Sequence, residues 1–165
     1  MILTTHAITG ATLATLTPHN PVLAFIIGFG SHFLLDAIPH LDYTLKSIHR
    51  DTKNPYDKSI TFGKDSYKDL IKVCMDGILG LLFTFIIFKL FLGNNYSIFV
   101  VFVGAIAAML PDLLQFVYCK WKHEPLITLQ RFHAFMHSDK RMRDKPFLGI
   151  LSQVLVIIFF ILMIL

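Results

Sequence analysis

The chain has 165 residues, of which 55% are hydrophobic and only 16% are charged, and a mean hydropathy of +0.62 excludes an ordinary soluble domain of this size. The formal net charge of +4 would also suit a nucleic-acid-binding protein, but no other feature of the sequence indicates nucleic acid as a partner. We therefore expect an integral membrane protein that places apolar helices in a lipid bilayer.

Five apolar segments predict an all-α, polytopic membrane helix bundle of about five helices. The first segment is short for a membrane span, and the last has no charge beyond its first residues and is typical of an anchor. Residues 17–20 and 93–95 are typical of tight turns because of their Pro, Gly and Asn content. The segments cover about 2–16, 21–38, 67–92, 96–117 and 146–165, and two polar connections cover about 39–66 and 118–145.

Basic residues indicate how this bundle is oriented. Of the 15 lysines and arginines, only Lys89 lies toward the short turns, and the other 14 lie in or near the two long connections. The positive-inside rule then places the amino terminus and the long connections in the cytoplasm and the carboxyl terminus outside. A plain solvated loop face would explain the same charges. No basic residue precedes the first apolar segment, so we expect no cleaved signal peptide.

Two parts of the single domain, 1–165, repeat the same spacing of ionisable and small residues. In each part these residues stand four apart along the chain, and the pattern continues from the first to the second helix of a helical hairpin. Since each unit has two helices, both units run the same way through the membrane, which makes the repeat parallel. The glycines in it allow close approach of helix backbones. The unit at about 1–42 contains His6, Gly10, Gly28, His32 and Asp36, and the unit at about 67–117 contains Asp76, Gly80, Gly104, Ala108 and Asp112.

Ionisable side chains gather at the cytoplasmic end of the predicted bundle. His32 and Asp36 share one face of the second helix, and His133 and His137 share a face if their segment is helical. An ionisable residue inside a membrane is a functional hypothesis by default, because its burial is costly. The candidate metal ligands are His6, His32, Asp36, Asp76, Asp112, His133 and His137.

A bound metal explains why these groups converge. Imidazole and carboxylate ligands together suit zinc, manganese or iron, and the charge of the ion offsets that of the buried carboxylates. We expect one or two divalent ions, with zinc as the first choice. Taken singly, the groups have structural interpretations: His32 and Asp36 could form a hydrogen-bonded pair between helices, and Asp112 could end a helix kinked at Pro111.

Three further residues are candidate catalytic groups. His40 or Asp42, at the membrane edge, would carry protons, and Arg131 with neighbouring lysines would hold an anionic headgroup. Alternatively, Asp42 could cap a short helix over Tyr43–His49.

Several short strings of the sequence can be compared with known families: Thr5-His6-Ala7, Ser31-His32-Phe33-Leu34-Leu35-Asp36, Leu110-Pro111-Asp112, Arg131-Phe132-His133 and His137-Ser138. They resemble parts of the YbcI-like family of membrane-bound metal-dependent hydrolases. The resemblance implies a helical membrane protein with a metal site that hydrolyses a substrate at the membrane. In the family pattern Ser-His-x-Leu-Leu-Asp comes last, whereas here it precedes Leu-Pro-Asp, as if the two repeat units were exchanged. Gln130 also stands where the family has a histidine.

The expected function is metal-dependent hydrolysis of a phosphoester, or of another ester, in a lipid at the cytoplasmic membrane face. The alternative is a non-catalytic membrane subunit or scaffold, in which the polar cluster only joins helices. Transport of metal or protons is disfavoured, because a pathway needs polar groups through the full depth of the bilayer and the outer half of the predicted bundle has hardly any.

Overall fold

The computed structural model describes residues 1–17, 19–51, 53–54, 56–91, 96–138 and 142–165. The described residues are mostly helical, which confirms the all-α class. Pro18 of the first expected turn and all of the second, 93–95, lie outside them. The helices are α1 (Leu3–Ala14), α2 (Pro21–Asp36), α3 (Lys64–Phe91), α4 (Ile98–Lys120), α5 (Leu126–Met136) and α6 (Pro146–Leu162).

Local sequence signals explain where α2 begins and ends. The side chain of Asn20 accepts hydrogen bonds from the backbone N–H groups of Val22 and Leu23, both at 3.1 Å. Pro21 follows in the first turn, where its missing N–H has no partner to lose. Pro39 stands beyond the helix and prevents its continuation. The helix therefore presents His32 and Asp36 in its last two turns.

The short helix α1 is the centre of the fold. Nearly all of its residues are buried, and it packs against α2, α3, α4 and α6. Its 12 residues correspond to a length of about 18 Å, well below the hydrocarbon thickness of about 30 Å. α1 is therefore too short to span a bilayer by itself, and it lies among the other helices.

Three glycines allow α1, α2 and α4 to approach closely. A Cβ atom on Gly10 would lie 2.4 Å from the carbonyl oxygen of Gly104, and one on Gly28 would lie 2.5 Å from the same atom. A Cβ atom on Gly104 would in turn lie 2.5 Å from the carbonyl oxygen of Gly10. No side chain fits at such distances, so the glycines determine how close the three backbones come. This contact brings His6 and His32, each four residues from a glycine, to the same level.

Two helices are long and apolar enough to cross a membrane. They cover Lys64–Leu90, with 27 residues, and Ile98–Lys120, with 23 residues. α2 and α6 are apolar but shorter. Length and composition of α3 and α4 are therefore consistent with membrane association.

The connection between α2 and α3 contains a β-ribbon that the sequence analysis did not predict. Strands β1 (Ile48–Arg50) and β2 (Lys58–Ile60) pair in antiparallel register, with Arg50 opposite Lys58. The alternative helix over Tyr43–His49 is wrong, because this stretch has no helical residue and its end belongs to β1. Strands of three residues are too short for a readable alternation of polar and apolar side chains.

Helix α6 is tied to the rest of the fold by a buried amide. The side chain of Gln153 accepts a hydrogen bond from the backbone N–H of Ile2 at 3.0 Å and donates one to the carbonyl oxygen of Leu41, also at 3.0 Å. It thereby joins α6 to the start of α1 and to the segment after α2. From its sequence α6 is typical of an anchor, and a single glutamine in an apolar helix gives no sign of this contact.

Candidate metal centre

Four buried or half-buried side chains meet where α2, α4 and α5 converge. The Nε2 atoms of His32 and His133 lie 3.2 Å and 2.9 Å from Asp36 Oδ2, and they lie 3.2 Å from each other. Asp112 Oδ1 lies 3.8 Å from both nitrogens. Each residue offers one ligand atom, and all four atoms lie within 4.8 Å of one another. We call His32, Asp36, Asp112 and His133 the metal cluster.

These spacings fit a small metal ion. A tetrahedral zinc site with bonds of about 2.1 Å separates its ligand atoms by about 3.4 Å. The separations between the histidine nitrogens and the carboxylate oxygens, 2.9 to 3.8 Å, lie on both sides of that value. Two imidazoles and two carboxylates are also a donor set that suits zinc, manganese or iron.

The orientation of His32 leaves one nitrogen available to a metal. Its Nδ1 lies 2.8 Å from the carbonyl oxygen of Ala108, so Nδ1 carries the proton and donates to that oxygen. In the neutral ring Nε2 then has a free lone pair, directed at Asp36 and His133. Metal-binding histidines commonly donate their second N–H in this way, which fixes the tautomer and the ring plane.

His6 has buried nitrogens that lack hydrogen bonds. The side chain is fully buried, and neither Nδ1 nor Nε2 makes a hydrogen bond. Nε2 lies 3.2 Å from Asp36 Oδ1, close enough for a charge contact but without hydrogen-bond geometry. A buried polar atom without a partner is costly. An ion held by Asp36 on this side would satisfy Nε2, so the residues present fit a metal.

A second group of possible ligands shares Asp36 with the metal cluster. It consists of Asp36, His40 and His137, whose ligand atoms also lie within 4.8 Å of one another. Asp36 Oδ2 faces His32, His133 and, at 4.0 Å, His137 Nε2, whereas Oδ1 faces His6 and, at 3.8 Å, His40 Nε2. The two groups therefore share one carboxylate, which could contribute to one ion or to a pair of ions.

Asp42 joins the two outer histidines of this group. Its Oδ1 lies 2.7 Å from His40 Nε2, and its Oδ2 lies 3.2 Å from His137 Nε2. Burial alone lowers the pKa of His137, but the hydrogen bond to Asp42 and the nearby Asp36 charge outweigh it and raise that pKa. Burial alone raises the pKa of Asp42, and hydrogen bonds from His137 and His40 reverse this and lower it. The positive charge of His137 and the negative charge of Asp42 thus stabilise each other.

The amino group of Met1 also lies in this region. It is 2.8 Å from Asp36 Oδ1 and 3.0 Å from Asp42 Oδ1. The positive charge of this amino group therefore lies against Oδ1 of Asp36 and Oδ1 of Asp42, the same oxygens that face His6 and His40. A bound cation would offset the charge of these carboxylates in the same way.

The carboxylate of Asp76, a residue of α3, contacts the start of α1 and lies apart from the histidines. Its carboxylate accepts hydrogen bonds from the backbone N–H of Leu3 and the hydroxyl of Thr4, both at 2.6 Å, and from the hydroxyl of Tyr43. The two ligand groups found among the described residues do not include it. These contacts give Asp76 a capping role for α1, since the first N–H groups of a helix have no partner within the helix.

A polar cavity of about 130 Å³ opens beside the ligands. Asp112, Asp42 and His137 are among its lining residues. Its other lining residues include Arg50, Lys58 and Arg143, which the sequence analysis did not single out. Arg131, the predicted headgroup residue, is exposed on α5 and is not among the described residues that line this cavity.

Comparisons of the chain with protein-family profiles, with curated proteins and with solved structures give no match. The class of this protein is therefore defined by its fold and its site alone. The chain is a mainly helical protein with two helices that could cross a membrane and a buried histidine–aspartate cluster that could hold a metal ion.

Proposed function

We propose that the chain is a multi-pass membrane protein that uses a bound metal to hydrolyse a phosphoester, or another ester, of a lipid at the cytoplasmic face. The amino terminus and both long connections lie in the cytoplasm in this proposal. The observation that carries it is the metal cluster together with the unpartnered nitrogens of His6. A metal ion beside Asp36 would provide a partner for one of those nitrogens, Nε2, which lies 3.2 Å from Asp36 Oδ1.

Exposed apolar side chains support the membrane location. Large hydrophobic residues remain exposed on the outer faces of α2, α3, α4 and α6, among them Ile26, Ile78, Phe99 and Phe159. An apolar surface distributed over four helices is far larger than soluble monomers tolerate, and lipid would cover it. The metal cluster lies at the end of the bundle next to the basic connections, which is the cytoplasmic side by the positive-inside rule.

The chemistry follows from the residues around the site. A bound zinc or similar ion lowers the pKa of its water from about 15.7 to near 7 and so supplies hydroxide without a strong protein base. Asp36 and Asp112 would hold the ion, and His32 and His133 would complete its shell. Asp42 holds His40 and His137 by hydrogen bonds on the outer side, where a proton can pass to the cytoplasm.

The resemblance to the YbcI-like hydrolases supports the same reaction class. Its exchanged motif order is compatible with one shared site, because α2 and α4 both pack against the central α1. Asp36 near the end of α2 and Asp112 in α4 therefore reach the same cluster regardless of which helix comes first in the chain.

Metal analysis tests the proposal. The measurement is elemental mass spectrometry of detergent-purified protein beside an Asp36→Asn, Asp112→Asn double variant and an Asp57→Asn control, whose carboxylate lies outside the site. We expect one or two equivalents of zinc, manganese or iron in the wild type and the control, and loss of the metal and of lipid ester hydrolysis in the double variant. A wild type that binds none of these ions after reconstitution would overturn the proposal in favour of a scaffold.

A further inference from the structure

Three cationic side chains from two separate connections line the polar cavity. Arg50 and Lys58 come from β1 and β2, and Arg143 comes from the segment before α6. Arg50 and Lys58 are directly opposite each other in the ribbon. Like charges at directly opposed positions destabilise a strand pair. The ribbon therefore carries an electrostatic cost at the very residues that face the cavity.

Lys58 places its amino group at the polar cavity. Burial lowers its pKa, and the charge of Arg50 lowers it further, while Asp112 and Asp42 act in the opposite direction. Its Nζ donates a hydrogen bond to the side chain of Gln115 on α4, another lining residue. This contact fixes the ammonium group at a cavity that Asp112 also lines.

The polar cavity adjoins both the three cations and the metal cluster. Asp112 belongs to the cluster and lines the cavity, as do Asp42 and His137 of the adjoining group. The volume of about 130 Å³ is far above the roughly 10–15 Å³ that one water needs by the same kind of measure. A phosphate group in this cavity would therefore lie among the three cations and beside Asp112, one of the residues that would hold a metal ion.

An apolar groove lies next to this cavity. Phe116 lines both spaces, and the groove has a volume of about 610 Å³ between α3 and α4. Its walls are almost entirely apolar and include Phe62, Tyr67, Leu70 and Trp121. A cationic cavity beside an apolar groove, with Phe116 in the wall of both, matches an amphiphile with an anionic head and a hydrocarbon tail.

We propose that the polar cavity binds the phosphate of a lipid phosphomonoester, whose hydrocarbon chain lies in the apolar groove. This inference rests on the proposed function and narrows its substrate. A phosphomonoester carries about −1.5 to −2 charges near pH 7, as phosphorylated side chains do, and three cations match such a group better than the single charge of a diester. Arginine contacts the phosphate oxygens through paired N–H groups, which fixes the orientation of the phosphate.

The reaction this implies is hydrolysis of a monoester. The oxygen of water forms a bond to phosphorus, and the bond between phosphorus and the lipid oxygen breaks. The proton lost by the water is taken up by the departing lipid oxygen. The products are a lipid alcohol and inorganic phosphate, and the step needs no other reactant.

Lipid binding by the metal-depleted protein tests the phosphate subsite without relying on activity. Native mass spectrometry would compare phosphatidic acid with phosphatidylcholine as probes for wild type, Arg50→Gln, Lys58→Gln and a Lys53→Gln control on the same ribbon. We expect wild type and control to prefer phosphatidic acid, and each of the other two variants to bind it about tenfold more weakly. Equal binding of phosphatidic acid by all four proteins would overturn the inference.

Hydrolysis by the metal-loaded protein tests the groove. Phosphate release from phosphatidic acid in mixed micelles would be compared with release from glycerol 3-phosphate and with cleavage of phosphatidylglycerol, a diester. We expect Leu70→Trp, which fills the groove, to reduce hydrolysis of phosphatidic acid and not that of glycerol 3-phosphate. Preference for the diester, or equal rates on phosphatidic acid in Leu70→Trp and wild type, would overturn the inference. The proposed function would survive either result if metal content and ester hydrolysis remain.

Discussion

The imidazole rings of His6 and His32 are stacked, with their centroids 4.0 Å apart and their planes within 19° of parallel, although the two residues belong to different helices. The close backbone contacts at Gly10, Gly28 and Gly104 make this stack possible. Nε2 of each ring also lies 3.2 Å from an oxygen of Asp36, on opposite sides of that carboxylate. The stack thus presents two imidazole nitrogens to a single carboxylate.

Replacing His6 by phenylalanine is expected to change stability and metal affinity in opposite directions. Phenylalanine retains a flat ring against His32 and removes two buried nitrogens that have no hydrogen bond. Without metal, His6→Phe should unfold at the same or a higher temperature, with a gain of up to about 1–3 kcal/mol. With metal, it should bind zinc at least about tenfold more weakly.

Thermal unfolding with and without chelator, and zinc titration against a competing chelator, would measure both effects. His49→Phe is the matched control, because His49 is exposed in β1. Zinc affinity of His6→Phe equal to that of the wild type would show that His6 is not a ligand.

Gly104→Ala is expected to damage the fold and the metal site together. Its Cβ atom would lie 2.5 Å from the carbonyl oxygen of Gly10 and 2.6 Å from the Cβ atom of Ala14, so α1 and α4 must separate. Overpacking of this kind costs about 1–3 kcal/mol, and it would also shift Ala108, which orients His32. The unfolding temperature and the zinc stoichiometry should both fall.

Gly30→Ala provides the control for this substitution. Gly30 lies in the same helix as His32, and a Cβ atom there would meet nothing within 4 Å. Alanine favours the helix by about 0.5–1 kcal/mol over glycine, so Gly30→Ala should retain metal and unfold at the same or a slightly higher temperature. If both variants behaved alike, the glycine contact would not be what positions the site.

The sequence predicted those parts of the site that depend on helical spacing. His32 and Asp36 had to share a face once α2 was helical, and the glycines four residues away indicated a close contact. The role of Asp76 could not be predicted in this way, because its spacing to Gly80 equals that of His6 to Gly10. Only the position of its helix beside the start of α1 makes it a cap.

The cations of the polar cavity were not predictable for a different reason. Arg50 and Lys58 face each other only because two strands of three residues pair, and such short strands leave no periodic signal. In the sequence they are two of many basic residues in a long connection, and Arg131 is an equally good candidate for binding an anion. Only the long-range pairing of the two strands distinguishes Arg50 and Lys58 from Arg131, and local sequence patterns do not encode that pairing.

Asp76→Asn is expected to weaken the fold while leaving the metal in place. The carboxylate accepts hydrogen bonds from Leu3, Thr4 and Tyr43 at the start of α1, and an amide cannot accept all of them. Loss of a helix cap costs about 0.5–2 kcal/mol. The unfolding temperature should fall while elemental analysis finds the wild-type number of metal ions. Loss of metal under conditions where the variant is still folded would instead make Asp76 a ligand.

Acid should loosen the contact between Asp57 and the end of α4. Lys122 Nζ and the Tyr118 hydroxyl both donate to Asp57 Oδ1 at 2.8 Å, and these bonds, that from Lys122 first, lower the pKa of Asp57. A carboxyl group whose pKa is lower in the folded state stabilises the fold above its unfolded pKa of about 3.9. This contribution is lost as the pH falls below that value and through the lower pKa of the folded state. Because the ion pair is partly exposed, it is worth at most about 1 kcal/mol.

Fluorescence of Trp121, the single tryptophan and the neighbour of Lys122, reports on this contact. Between pH 6 and pH 3, the unfolding temperature of the wild type should fall further than that of Asp57→Asn, which lacks the titrating group. Asp144→Asn, at an exposed carboxylate before α6, should follow the wild type. Parallel pH curves for wild type and Asp57→Asn would mean that the ion pair contributes nothing to stability, and the β-ribbon would then be held to α4 by other contacts, such as that between Lys58 and Gln115.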